Sequence, residues 1–373
     1  MTPKERVRAA LAHREPDRIP TGEFATDHEV VEAVLGRPTF YRGHFKTTRA
    51  LWEGRRDEVV ESMKRDLVEF TLKLELDMVP VQLVPSRNAE YRPLEQIGPE
   101  TWRDERGNEF RYASGSQWLI CTRHADADRE FMEADFAYSD PAPPDPSEME
   151  LIEYVRERLG ATHFLFARSG DGTMPLPGGM ERALVMMHEQ PDLYRRAVET
   201  ATRRTIAHDR FFIEAGVDAL APGMDYCSTR GPLMSPALFE EIIYPAMRAH
   251  VEAAHAAGTL ILKHACGNNN AILRWLVEAG YDAYQSIQQS ASMDLRQLKR
   301  DWGDRIALWG GVPTETLMHG TAEETRAAVR DAIDAAAEGG GFILGSSHSI
   351  AVGVRPENYL AMLDELRLRG ARS

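Results

Sequence analysis

The chain is poor in the features that define several protein classes. Three cysteines in 373 residues cannot build a disulfide framework, which favours a reducing compartment. No stretch approaches the ~18 uninterrupted apolar residues of a membrane span. Basic residues are scarce relative to acidic ones, 44 against 58, for a formal net charge of −14. Such a balance argues against nucleic acid as a partner, because a phosphate backbone needs a basic face. There is no G-x-G-x-x-G after a strand, no G-x-x-x-x-G-K-[ST] loop and no G-x-S-x-G elbow. Dinucleotides, nucleoside triphosphates and a serine-hydrolase elbow are therefore not signalled. The opening Met1–Arg6 lacks the apolar centre of a signal peptide, so a soluble cytoplasmic protein is expected.

What remains is a globular α/β pattern, with 43% hydrophobic residues and ample length for a large core. Thr2, Pro3 and Glu5 carry the start signals of a first helix. Eight short apolar runs then read as strands: Arg18–Phe24, Asp77–Val84, Phe164–Ala167, Val217–Ala221, Thr259–Lys263, Asp282–Ser286, Ile306–Trp309 and Phe342–Gly345. Amphipathic helices such as Pro236–Ala257, Asn269–Ala279 and Ala322–Glu338 separate the later runs. Eight β-then-α units predict one (β/α)8 TIM barrel over residues 1–373, with a doubly wound open sheet as the alternative. Residues from about 91 to 148 break the rhythm. Runs at Glu100–Glu105 and Glu109–Ser114 flank an Arg106-Gly107-Asn108 turn. They predict a β-hairpin insertion between the second and third β/α units, near the active-site mouth.

Chemistry in such a barrel sits at the carboxyl ends of the strands. His264 and Cys266 follow the fifth run directly, and residues i and i+2 of extended backbone face the same way. Imidazole and thiolate together are a zinc-type ligand pair. A third ligand would be His348 after the last run, with Cys227 and Glu23 as further options. Asp77, Glu23 and Asp225 are candidate catalytic carboxylates. Arg168, Tyr226, Gln285 and Gln288 are candidate substrate-binding residues, and Asp171 also follows a strand. Cys121-x-x-His124 has ligand spacing but falls in the insertion, where a structural pair is the plainer reading.

TPKERVRAALAHREPDRIP at the start, KHACGNNNAILRWLVEAGYDAYQS in the middle and GGGFILGSSHSIAVGVRPENYLAM at the end carry a resemblance. Together they resemble the uroporphyrinogen decarboxylase superfamily over essentially the whole chain. The resemblance implies a (β/α)8 barrel. The superfamily's true decarboxylases carry an R-Q-A-G-R motif near the N-terminus. Here that region reads PTGEFATDHEVVEAV, with no arginine pair. The superfamily's corrinoid methyltransferases instead use H-x-C-G after the fifth strand as zinc ligands, matched by His264, Cys266 and Gly267. The RGPLMSP run at Arg230–Pro236 is similar to the O-demethylase members.

The resemblance thus implies a zinc-dependent methyltransferase (O-demethylase) acting on a small methoxylated compound, with cobalamin as the methyl carrier. No D-x-H-x-x-G cobalamin motif occurs, so the corrinoid would arrive on a partner protein. The alternatives are a cofactor-free decarboxylase of a tetrapyrrole-like substrate and a non-catalytic ligand-binding barrel. Homodimers are common among such barrels, though no residue here demands one.

Overall fold

The computed structural model describes residues 1–370. Seven strands form one all-parallel curled sheet: β1 (Met78–Val81), β6 (Phe164–Ala167), β7 (Ala219–Leu220), β10 (Leu260–His264), β11 (Ala283–Gln285), β12 (Ala307–Val312) and β13 (Phe342–Ser346), hydrogen-bonded in that order. Between β1 and β6 the chain builds a separate antiparallel sheet from β2 (Glu95–Gly98), β3 (Thr101–Arg103), β4 (Glu109–Ala113) and β5 (Trp118–Arg123). A two-residue ribbon pairs β8 (Cys227–Ser228) with β9 (Gly231–Pro232). Helices alternate with the parallel strands, as expected of a TIM-like barrel.

The first apolar run departs from a regular strand. Thr21 makes only an isolated parallel bridge to Leu344. Its carbonyl accepts Asp77 N at 2.8 Å, and Leu344 N donates to Pro20 O at 2.9 Å. This short segment therefore bonds to both edges of the curled sheet. Two features prevent a longer ladder. Pro20 has no N–H to give, and the Thr21 N–H goes to the Asp77 side chain at 2.9 Å. The approach is also close: a Cβ on Gly22 would lie 2.5 Å from Met78 Cβ, which only glycine avoids.

Alternation along the strands sorts two apolar layers. Met78, Phe164, Phe166, Leu262, Trp309 and Ile343 fill the inside of the curl with Phe24. Val79, Leu165, Ile261, Tyr284, Leu308 and Leu344 face the helices. Trp309 spends its indole N–H on Gly22 O at 2.8 Å, tying the inner layer to the first segment. The long helix after β9 runs to Ala256 and contains a π-helical turn at Phe239–Ile243. No helix among the described residues is long and apolar enough to cross a membrane.

Asp77 was expected among the catalytic carboxylates. It precedes β1, at the amino end of the strand, and so lies opposite the carboxyl-end mouth. Its fully buried carboxylate bonds Arg6 Nη1 at 2.5 Å, Arg18 Nη2 at 3.0 Å and the Thr21 amide. The group is a structural clasp between the first helix, the first segment and β1. Asp77→Ala should cost about 1–3 kcal/mol, because it leaves the buried Thr21 amide without its acceptor and removes one of the two carboxylates that pair with Arg6. Urea unfolding checks this.

Candidate functional site

His264 is the last residue of β10, Cys266 follows two residues later, and His348 lies two residues beyond β13. The structure brings these three together, with their ligand atoms within 4.8 Å of one another. Cys266 Sγ is 3.3 Å from His264 Nε2. Tetrahedral zinc with ordinary Zn–N and Zn–S bonds needs an N···S edge of about 3.5 Å, so this spacing suits the ion.

The parallel register sets the surroundings. His264 pairs with Gln285 across β10 and β11, and His264 Nδ1 meets Gln285 Oε1 in a short hydrogen bond. The amide oxygen can only accept, so it fixes the Nδ1–H tautomer and leaves Nε2 with its lone pair toward Cys266. Gln285 Nε2 then donates to His348 O at 3.0 Å, so one side chain braces both histidine segments. Asp225 Oδ1 accepts Cys266 N at 2.7 Å, and Gln288 Oε1 accepts Gly267 N at 3.1 Å. Asn269 Nδ2 reaches the carbonyls of Ala265, Cys266 and Gly267 at 3.0–3.2 Å, closing the loop on itself. Gly267 has φ +90°, and a Cβ there would sit 2.4 Å from Cys227 O. That glycine lets the ligand loop pass the Cys227 backbone.

Burial holds the donors in their neutral forms. It pushes the His264 imidazole down to about 4, helped by repulsion from His348, and lowers His348 as well. It pushes the Cys266 thiol well up, and the Asp225 charge adds to the effect. Two neutral imidazoles and a thiol that ionises only with a strong cation form a coherent donor set for zinc.

A cavity of about 480 Å³ opens beside the cluster, lined by Phe24, Gln82, Arg168, Met224, Asp225 and His264 among others. Phe24 stacks on His264 with centroids 4.2 Å apart. The Arg168 guanidinium lies 5.0 Å from the centre of the Phe24 ring and donates to Gln82 Oε1 at 2.9 Å. Its buried Nε has no partner, and among the described residues it makes no ion pair. Burial, then the nearby charge of Arg42, lowers Arg168 to about 10.

Other expected site residues lie elsewhere. Tyr226 turns away from the cavity: its hydroxyl is buried against Lys263 Nζ at 2.7 Å and Thr173 Oγ1 at 2.6 Å. Asp171 is buried in the same network, paired with Lys263. Strand alternation explains this, since Lys263 must face opposite to His264. Gln285 faces the two histidines rather than the cavity. Cys227 is buried in β8 and lies outside the three-residue cluster, its thiol pushed up to about 12 by burial. Glu23 also lies outside the cluster, accepting from Ser346 N and Oγ at the end of β13. Cys121 and His124 join no metal-type group among the described residues. Sequence reasoning missed Ser286, whose Oγ is 3.1 Å from Cys266 Sγ at a residue with φ +84°. Nothing in an apolar run marks such a backbone.

A model of the family described as uroporphyrinogen decarboxylase (URO-D) matches residues 174–368, just over half of the chain. The chain belongs to the uroporphyrinogen decarboxylase family. The matched span contains Asp225, His264, Cys266, Gln285 and His348. Two URO-D relatives are named uroporphyrinogen decarboxylase. The protein from Coxiella burnetii (strain RSA 493 / Nine Mile phase I) is 25% identical over 188 residues, half of each chain. That from Thioalkalivibrio sulfidiphilus is 25% identical over 250 residues, 61% of this chain and 68% of that one. The chain thus spans about half the length of the Coxiella relative. A solved structure described as a methyltransferase from Methanosarcina mazei covers 99% of both chains, with a TM-score of 0.68 and 18% identity. That likeness establishes a shared fold for this URO-D chain.

Two measurements bear on the site. If the three donors hold zinc, Gln285→Leu should weaken it about 10–100-fold by releasing the His264 ring, read by competition with a chromophoric chelator. Burial raises the Glu23 carboxyl to about 8, from an ordinary value near 4.5. Between those values the folded chain keeps a proton that the unfolded chain releases, so this group's contribution to stability falls as pH rises. Glu23→Gln keeps an acceptor for Ser346 and removes the titration. Its thermal stability relative to wild type should grow from about pH 4.5 to 8 and then level off; a pH-independent difference would refute this.

Proposed function

We propose that this chain is a zinc-dependent methyltransferase. It moves a methyl group between a small methoxylated, aromatic compound and a corrinoid carried on a separate protein, in the sense of O-demethylation. The observation that carries this reading is the convergence of His264, Cys266 and His348 beside a cavity, with His264 Nδ1 held by Gln285. A cofactor-free decarboxylase has no use for a thiol and two neutral imidazoles gathered at one point. The missing arginine pair in residues 20–34 agrees. Methyl transfer is also the activity in the name of the Methanosarcina mazei neighbour.

His264, Cys266 and His348 would hold the zinc. When bound, zinc supplies a Lewis acid that lowers the cost of negative charge developing on the ether oxygen. The protein's own groups do the rest. Phe24 offers an aromatic wall for the substrate ring, stacked on the ligand histidine. Asp225 anchors the Cys266 amide and lines the cavity, which places it to handle the proton that the leaving oxygen gains. Gln288 holds Gly267, and so the Cys266 loop. On this reading the whole chain is one barrel unit, and residues 91–148 are an insertion that shapes the mouth and the partner's approach.

A second reading, decarboxylation of a carboxylated substrate, is favoured by the Arg168 guanidinium, which meets the cavity without an anionic partner. One experiment separates them. The purified chain should carry about one zinc, and with a reduced partner corrinoid protein it should convert methoxybenzenes to phenols. His264→Ala and Cys266→Ser should lose the zinc and lower the rate by on the order of 100-fold or more. A metal-free chain that releases CO2 from carboxylated substrates, in a manner abolished by Arg168→Gln, would establish the second reading instead.

A further inference from the structure

Outside the cluster, Asp27 gathers an unusual set of partners. It follows the first segment and precedes the helix His28–Leu35, and its side chain is buried. One oxygen pairs with Arg42 Nη2 at 2.9 Å, the other with His44 Nε2 at 2.9 Å. The second oxygen also accepts Val352 N at 3.2 Å. The backbone reinforces the link: Asp27 N donates to Ile350 O at 2.7 Å and Ile350 N to Ala25 O at 2.9 Å. Asp27 thus holds the segment that leaves His348. Glu29 holds its continuation, accepting Gly353 N at 2.9 Å.

The two partners, Arg42 and His44, come from strained backbone. Arg42 and His44 have φ of +54° and +50°, and neither is glycine. Such conformations persist only where the surroundings over-determine them. Here the constraint comes from the antiparallel sheet. Trp118, the first residue of β5, lies on the His44 ring with centroids 4.2 Å apart, and Arg42 sits 5.6 Å over the same indole. Gln117, also at positive φ (+58°), bonds Glu29 Oε1 through its side chain at 2.9 Å and accepts Phe45 N at 3.0 Å. The sheet is therefore fastened to both carboxylates that restrain the 350–353 segment.

We propose that Asp27 is the positioning residue of His348, and that Trp118, by packing on Arg42 and His44, makes the antiparallel sheet part of the support of the third metal ligand. The inference rests on the zinc reading and deepens it. It explains why a buried carboxylate held by Arg42 and His44 stands next to the mouth without entering it. A partner that docks on the sheet and displaces Trp118 would loosen one ligand of three while leaving His264 and Cys266 in place.

The test is zinc affinity of the full chain, measured by chelator competition, together with the visible spectrum of the cobalt(II)-substituted protein. Wild type is measured first: if it binds neither ion, the zinc reading itself fails. If it binds, Asp27→Asn should weaken zinc about 10–100-fold and reduce the intense absorption of four-coordinate cobalt. Trp118→Ala, at a half-exposed residue, should weaken zinc about threefold to tenfold with little change in melting temperature, and Trp118→Phe should restore it. If Asp27→Asn does not fold, the tryptophan pair decides the matter alone. Unchanged zinc affinity and cobalt spectrum in folded Trp118→Ala, or a lowered melting temperature with unaltered affinity, would overturn the proposal.

Discussion

The hydrogen bond between His264 Nδ1 and the Gln285 amide is the interaction on which the site depends. It follows from the register of two adjacent parallel strands, which sets residues 264 and 285 side by side. That bond chooses the tautomer of the histidine, and the other end of the same amide reaches the His348 carbonyl. An imidazole free to rotate would lose entropy on binding a cation, whereas one fixed in advance does not. The geometry of the curled sheet thus becomes a property of the donor set.

Closure at the other end is what lets the mouth be rigid. The Pro20–Thr21 segment bonds to both β1 and β13, and Asp77 replaces a backbone partner with a carboxylate that two arginines neutralise. The charge of Asp77 is spent on stability at the amino end, while at the carboxyl end the three clustered donors are held neutral by burial. At the carboxyl end itself, Phe24 lines the cavity while its neighbour Glu23 is buried on Ser346, the last residue of β13.

Much of this was legible in the sequence, and the failures have physical reasons. Seven of the eight apolar runs lie on parallel strands, because buried strands write themselves as short apolar stretches. The first run does not, since proline and a competing carboxylate deny it a ladder. His264 and Cys266 stood out because they follow a strand directly. Which way a side chain points within one residue of a strand end was not legible. That is why Tyr226, expected to meet substrate, lies in the Lys263–Asp171 network, and why Gln285 braces the histidines. Asp77 is legible as the start of the second run, but its partners Arg6 and Arg18, which are distant in sequence, are not. Asp27, Arg42 and His44 carried no signal at all, because their convergence is made by residues from four separate segments.

The central claim is that one sulfur and two imidazole nitrogens of this chain hold a zinc ion. Zinc K-edge X-ray absorption of the metal-loaded protein tests it most directly. The account predicts a shell with one sulfur near 2.3 Å and two nitrogens near 2.0 Å, plus one light atom from solvent or substrate. The sulfur should vanish in Cys266→Ser. A shell of nitrogen and oxygen only, or a sulfur that survives that substitution, would contradict it.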